Sequence, residues 1–158
     1  MILCLMRHAE AEKIEGPIAR DMDRPLTPYG RLQARTMAEE LKRRGILPKV
    51  ISSPFVRTVQ TAEILCDVLG TGSLQCDDRL ASKGSAPDLN GLLATYRNVD
   101  SLLLLGHQPD IGMLVDQVIG FELGFSPAAV AAFESKVPAG WRYRWTRRPE
   151  DILEKKPS

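Results

Sequence analysis

Histidine is nearly missing from this chain: there are two, His8 and His107, among 158 residues. Cysteine is scarce too. Cys4, Cys66 and Cys76 make an odd count with no Cys-x-x-Cys spacing, which argues against a disulfide framework or a zinc site and predicts a reducing compartment. Cys4 and Cys66 fall in segments predicted as buried strand and helix, where free cysteine behaves as a small apolar residue, so Cys66 is read as core. No sign of charge is in excess, since 21 basic and 20 acidic residues leave a net +1. Nothing global points to nucleic acid or to a membrane surface, and any anion site must come from local clustering. No run approaches the roughly 18 apolar residues of a membrane span. The apolar N-terminus is too short for a signal-peptide core and has no basic residue before it, which predicts a cytoplasmic protein. A Gly-x-x-x-x-Gly-Lys nucleotide loop is absent.

What is present fits an ordinary globular chain, 44% hydrophobic and 26% charged, with one domain over 1–158. Met1 to Met6 are apolar without alternation, as in a strand buried on both faces, and run straight into Arg7-His8. Residues 9–27 read as a long loop. Thr27-Pro28 starts a helix over 28–44, with Ala34, Met37, Ala38 and Leu41 at helical spacing and Gly45 as the stop. Val50-Ile51 is a short strand, and Ser52-Ser53-Pro54 reads as a serine cap on a helix over 54–69. Its apolar stripe is Phe55, Val56, Val59, Ala62, Leu65, Cys66 and Leu69. A short strand near Leu74-Gln75-Cys76 and a helix capped by Asp88 come next. Leu102 to Leu105 form the second long apolar run, ending at Gly106-His107, and Pro109 to Ile119 a further helix. The tail holds two edge strands, 128–134 and 141–145, the latter alternating aromatics with arginines. Alternating strands and helices predict an α/β fold of three layers, α/β/α, its central sheet mostly parallel with helices on both faces.

Each histidine therefore sits just past a buried strand, and the helix fed by Val50-Ile51 carries Arg57 in its first turn. In a parallel sheet, Arg7, His8, Arg57 and His107 come from three strand ends onto one rim, where ligands of such sheets bind. Two arginines can hold a phosphoryl group through paired hydrogen bonds. A neutral histidine between them can attack phosphorus, and a second, if protonated, can donate to the oxygens where charge spreads. A single histidine after a strand reads as a hydrogen-bonded loop residue, but two so placed favour catalysis. Arg57 sits at the positive end of a helix, where a nearby anion resolves the conflict. Arg24 reads as a phosphate or substrate contact or as a surface salt bridge, and Gln33 as a pocket neighbour or a helix-surface residue. Arg142, Arg144, Arg147 and Arg148 read as a solvated outer face beside Glu150, Asp151 and Glu154.

Arg7-His8-Ala9 resembles the Arg-His-Gly signature of the histidine phosphatase, or phosphoglycerate-mutase-like, superfamily. In order come Leu26-Thr27-x-x-Gly30, Gln33-Ala34, Ser52-Ser53-Pro54-x-x-Arg57, Gln60-Thr61-Ala62 and Gly106-His107. Arg24-Pro25-Leu26-Thr27 and Gly106-His107-Gln108-Pro109 look most like the SixA-type phosphohistidine phosphatases. The resemblance covers about residues 1–120 and fits the tail after Gly120 poorly. It implies a phosphoglycerate-mutase-like fold, His8 as nucleophile, Arg7, Arg57 and His107 as the phosphate pocket, and no metal or organic cofactor.

Two departures stand out. Ala9 replaces the glycine, and the region Asp78-Arg79-Leu80-Ala81-Ser82-Lys83-Gly84 shows no equivalent of the glutamate acid of larger members. Loop carboxylates Glu10, Asp21, Asp23 and Asp88 are the alternatives, with Glu10 also a candidate substrate contact. An alkoxide leaving group needs such an acid, whereas a phosphorylated imidazole needs only the ring proton it already carries near neutral pH. The expected substrate is therefore phosphohistidine in a phosphorylated protein or a small mimic, ahead of a small phosphoester or phosphoanhydride. An inactive phosphate-binding module is disfavoured by the presence of all four central residues, and a mutase by the chain's length. The sequence specifies no oligomeric state.

Overall fold

The computed structural model describes residues 1–72, 74–136 and 140–153. Along them run β1 (Ile2–Arg7), α1 (Pro28–Arg43), β2 (Lys49–Ser52), α2 (Val56–Leu69), β3 (Gln75–Cys76) and α3 (Leu89–Thr95). β4 (Ser101–Gly106), α4 (Asp110–Ile119), β5 (Val130–Ser135), β6 (Trp141–Arg147) and α5 (Pro149–Leu153) complete the order. The strands form one sheet in the order β3-β2-β4-β1-β5-β6. β1 to β4 are parallel, β5 is antiparallel to β1, and β6 is antiparallel to β5.

The sheet is covered on both faces, which is why its central strands are apolar without alternation. Cys4, Met6, Leu103, Leu105 and Val50 point to one layer, against Met37 and Leu41 of α1 and Leu65 and Leu69 of α2. Leu3, Leu5, Leu102, Leu104 and Ile51 point to the other, against Leu89 and Leu92 of α3 and Leu114 and Val115 of α4. Each such leucine contributes roughly 1.5–3 kcal/mol by leaving water, so the strands that end at the site are the best anchored part of the fold. Among the described residues no helix is long and apolar enough to cross a membrane.

Three local readings need correction. The Ser53-Pro54 helix start is displaced: α2 begins at Val56 with Phe55 at its N-cap and no side-chain cap. Ser53 stays in the strand ladder instead, its N–H donating to the Leu105 carbonyl at 3.0 Å. The stripe of α2 is displaced as well, because Thr58 and Thr61 are buried while Val56 and Val59 are half-buried. In β6 the aromatics do not share a face. The ladder slips between Ala132, opposite Trp145, and Phe133, opposite Tyr143, and a residue inserted in one strand flips the face of every residue beyond it. Trp145 thus packs on one layer and Trp141 on the other.

The basic tail is a solvated face at Arg142, Arg144 and Arg148, but Arg147 is half-buried and lies 3.8 Å from the buried Glu40. Arg142 and Arg144 both donate to Glu134 at 3.1 and 2.6 Å, and Arg148 pairs with Asp151 at 2.8 Å. Glu154 lies outside the described residues. Cys4 is fully buried, its thiol pushed up to about 12 by burial, while Cys66 is half-buried against the core.

Candidate active site

The register of the sheet builds the site. Arg7 lies opposite Gly106, and Ser52 opposite Leu105. One residue further, the His8 N–H donates to the Gly106 carbonyl at 3.0 Å, so the chain leaves all three strands at one level. His8 and His107 become neighbours with ring centroids 5.4 Å apart. They are 7% and 2% exposed.

His8 is held as one tautomer. Its Nδ1 lies 2.7 Å from the Ala9 carbonyl oxygen, and a carbonyl only accepts, so Nδ1 carries the proton. Nε2 therefore presents a lone pair, which receives the Arg57 Nε–H at 3.2 Å. The Ala9 N–H donates to the Thr61 hydroxyl at 3.2 Å, and that hydroxyl donates to the Arg57 carbonyl at 2.7 Å. One turn of α2 thus supplies the arginine and steadies the backbone beside the histidine.

Arg57 is 4% exposed. Two of its other donors go to Asp21, one to the carbonyl at 2.8 Å and one to Oδ2 at 3.1 Å. Arg7 donates to the Phe125 carbonyl at 2.9 Å, while its Nε is buried with no partner among the described residues. His107 Nε2 lies 2.8 Å from the Ser53 hydroxyl, its Nδ1 is buried without a partner among the described residues, and Phe55 packs edge-on at 4.8 Å. Unpaired buried polar atoms are costly, and here they belong to residues flanking His8.

Positive charge concentrates at the rim. Burial lowers the pKa of Arg7, with Arg57 and then Arg24 adding to it. Burial also lowers that of Arg57, Asp21 opposing and Arg24 adding. His8 is pushed down to about 3, mainly by burial; the Ala9 carbonyl opposes, and Arg57, His107 and Arg7 add to the fall. His107 falls to about 4 through burial and Arg57, with Asp21 opposing and Arg7 adding. Both rings are neutral at pH 7. His107 accordingly offers one ring N–H, whereas its expected donor role was tied to the protonated ring.

Residues 3–83 match the family model of the histidine phosphatase superfamily, branch 1. The chain belongs to the histidine phosphatase superfamily. It is 31% identical over 145 residues to an uncharacterised protein of Picosynechococcus sp., covering 85% of this chain and 86% of that protein. It is 40% identical over 79 residues to the "Putative phosphoserine phosphatase 2" of Hydrogenobacter thermophilus, which is 49% of this chain but 38% of that protein. Among solved structures it is similar to the protein histidine phosphatase SixA complexed with tungstate, at a TM-score of 0.82 and 28% identity. The overlap covers 96% of this chain and 99% of that one.

The motifs shared with this family have physical reasons here. Thr27 accepts from the Gly30 N–H at 2.9 Å, capping α1, while its own N–H donates to the Glu10 carbonyl at 3.0 Å. A Cβ on Gly30 would collide with that same carbonyl oxygen, so only glycine lets α1 close on the loop behind His8. Gln33 is buried, accepting from the Glu10 N–H at 2.9 Å and donating to Glu150 at 3.1 Å. Gln60 accepts from the Leu26 N–H at 2.8 Å.

Arg7, His8, Arg57 and His107 are brought together. Arg24 joins the rim through Asp21, donating to Oδ1 at 2.9 Å and to the Glu12 carbonyl at 2.6 Å. Glu10 enters through its backbone. Of the other loop carboxylates, Asp23 pairs with Arg20 at 2.6 Å and Asp88 caps α3 through the Asn90 N–H. Asp21 alone among those four touches Arg57. Sequence reasoning missed Ser53 as the partner of His107, Phe55, the Phe125 carbonyl, and Asp110, which accepts from the Lys83 N–H at 3.0 Å. The Ser-Ser-Pro-x-x-Arg spacing held a signal for Ser53. A backbone carbonyl such as that of Phe125 leaves none.

Proposed function

We propose that this histidine phosphatase, as one catalytic domain over 1–158, hydrolyses phosphohistidine in a protein or a small mimic through a phosphoryl group carried on His8. The observation that carries the proposal is the fixed tautomer of His8: proton on Nδ1 at the Ala9 carbonyl, lone pair on Nε2 beside Arg57. A neutral, oriented imidazole is what nucleophilic attack on phosphorus needs. Arg7 and Arg57 would hold the equatorial oxygens, and His107 would give them its ring N–H.

In the first step Nε2 forms a bond to phosphorus, and the bond to the leaving nitrogen breaks with its electron pair passing to that nitrogen. Water then attacks the phosphoryl group, and the pair returns to Nε2. In Asp78-Arg79-Leu80-Ala81-Ser82-Lys83-Gly84 the one carboxyl group is that of Asp78, the Asp110 carboxylate accepts from the Lys83 N–H, and the Asp21 carboxylate is ion-paired to Arg57 and Arg24. A leaving group that brings its own proton suits such a site, and the likeness to SixA supports the same substrate class.

A small phosphoester is the second reading, favoured by the similarity to a protein named for phosphoserine. A panel of phosphohistidine peptide, sugar phosphates, phosphoserine and nucleotides, run on wild type and His8→Ala, separates the two. Phosphohistidine should be the preferred substrate, and His8→Ala should lose both turnover and acid-labile label on the enzyme. Turnover retained in His8→Ala would refute the mechanism, and a preference for an ester would refute the substrate.

A further inference from the structure

A carboxylate is an odd neighbour for a phosphate-binding arginine, because it repels the dianion the arginine is there to hold. Asp21 nevertheless sits on Arg57, and its side chain is 48% exposed. Placing Arg57 does not call for the negative charge, since the Asp21 carbonyl already takes one Arg57 donor at 2.8 Å. Nor is the charge absent: burial works against it, but the hydrogen bonds from Arg24 and Arg57 prevail and hold the carboxyl below its usual pKa. Each carboxylate oxygen accepts from one arginine, Oδ1 from Arg24 and Oδ2 from Arg57. An oxygen of this kind has two lone-pair directions, so acceptor capacity remains on the exposed side.

Where that capacity lies is set by Arg57. Its Nε touches His8 Nε2 at 3.2 Å while a terminal nitrogen touches Asp21 Oδ2 at 3.1 Å. The carboxylate is thus one guanidinium and two hydrogen bonds from the attacking atom. In an in-line displacement the leaving nitrogen sits beyond phosphorus, about 4–5 Å from the nucleophile, and the other nitrogen of a leaving imidazole about 2 Å further. The path from Nε2 through Arg57 to Asp21 Oδ2 has a comparable reach.

We infer that Asp21 is a specificity-determining residue that accepts a hydrogen bond from the protonated ring nitrogen of a substrate phosphohistidine, selecting a phosphorylated imidazolium over a phosphoester, whose leaving group carries no positive charge. The inference rests on the function proposed above. The substrate ring enters with a proton on its free nitrogen. When its N–P bond breaks, the electron pair stays on the leaving nitrogen, and the ring departs as neutral imidazole still carrying that proton. Asp21 needs neither to gain nor to lose one. For an ester the same carboxylate faces an oxygen of increasing negative charge and opposes its departure.

The test is Asp21→Asn, which keeps a carbonyl oxygen for Arg57, gives up the acceptor that Arg24 meets and removes the charge. Its kcat/KM is compared with wild type on a phosphohistidine peptide and on p-nitrophenyl phosphate, whose leaving group needs no proton. Losing one charged hydrogen bond should lower the phosphohistidine rate about tenfold or more, while p-nitrophenyl phosphate is unchanged or faster. Inhibition by inorganic phosphate should stay the same or tighten, showing Arg57 in place. The gap on phosphohistidine should close as rising pH deprotonates the substrate ring, which a merely structural role would not produce. Equal losses on both substrates, or no loss on phosphohistidine, would overturn the role of Asp21 alone. A wild-type enzyme inert to phosphohistidine would overturn the proposed function and this inference with it.

Discussion

The two histidines make a prediction about stability as well as chemistry. An unfolded histidine titrates near 6.5, but in the folded chain His8 does so at about 3 and His107 at about 4. Below 6.5 the unfolded chain binds two protons that the folded chain refuses. Stability is therefore full above that value, falls as pH drops through it, and stops falling only at the folded values. Each refused proton contributes a slope of about 1.4 kcal/mol per pH unit, so two give about 2.7, and descent to about pH 5 removes about 4 kcal/mol. The rings are 7% and 2% exposed, so solvent screens little of this. Against a total stability of about 5–15 kcal/mol the loss is large. The window is clean, because no other histidine titrates and the carboxylates of Asp21, Glu40, Glu134 and Asp151 are held below their ordinary values. Urea unfolding between about pH 7.5 and about pH 5 measures the slope. His8→Gln and His107→Gln should each remove about half of it. A flat profile in the wild type, or slopes unchanged in both variants, would refute burial of the neutral rings.

Three further outcomes come from the contacts. Arg57→Lys keeps the charge but not the fork that spans His8 and Asp21, so kcat/KM should fall roughly a hundredfold with the fold intact; steady-state kinetics beside thermal melting checks it. Gly30→Ala places a methyl against the Glu10 carbonyl and should cost about 1–3 kcal/mol of stability, read by denaturant unfolding. Ser53→Ala leaves the ladder bond to Leu105 but takes the hydroxyl from both His107 and the Phe55 N–H, and should slow turnover about fivefold and cost about 1–3 kcal/mol of stability, read by steady-state kinetics beside denaturant unfolding.

The central strands and the helices were legible because burial on both faces and 3.6-residue spacing are strong signals, as Leu102–Leu105 and Met37–Leu41 show. Strand ends then brought His8 and His107 together by register alone. What the sequence could not carry was contact made by main-chain atoms. The Phe125 carbonyl that holds Arg7 lies in the tail, and β5 there pairs with β1. The slip at Ala132 is equally silent, since nothing in Trp141-Arg142-Tyr143-Arg144-Trp145 marks which residue is extra. Ser53 was misread for a different reason. A serine before a proline is a cap by propensity, but here the strand ladder claimed its backbone first, and the hydroxyl is shared between the Phe55 N–H and His107.

The contact between His8 and Ala9 bears on both halves of the proposed reaction. In the first half it fixes the proton on Nδ1 and so directs the Nε2 lone pair outward. Once Nε2 carries phosphorus, the same proton cannot leave without breaking a buried 2.7 Å hydrogen bond. The intermediate is thereby kept as a phosphorylated imidazolium, whose departure as neutral imidazole makes it reactive toward water. One backbone carbonyl thus favours formation and breakdown alike. Thr61 couples that carbonyl's residue to α2, so the nucleophile and Arg57 share one support. A substrate that is itself a phosphorylated imidazolium gives a first step close to thermoneutral, the transfer running from one such ring to another. The site then needs little driving force for transfer, and the attack of water on a group held by Arg7 and Arg57 makes the sequence irreversible.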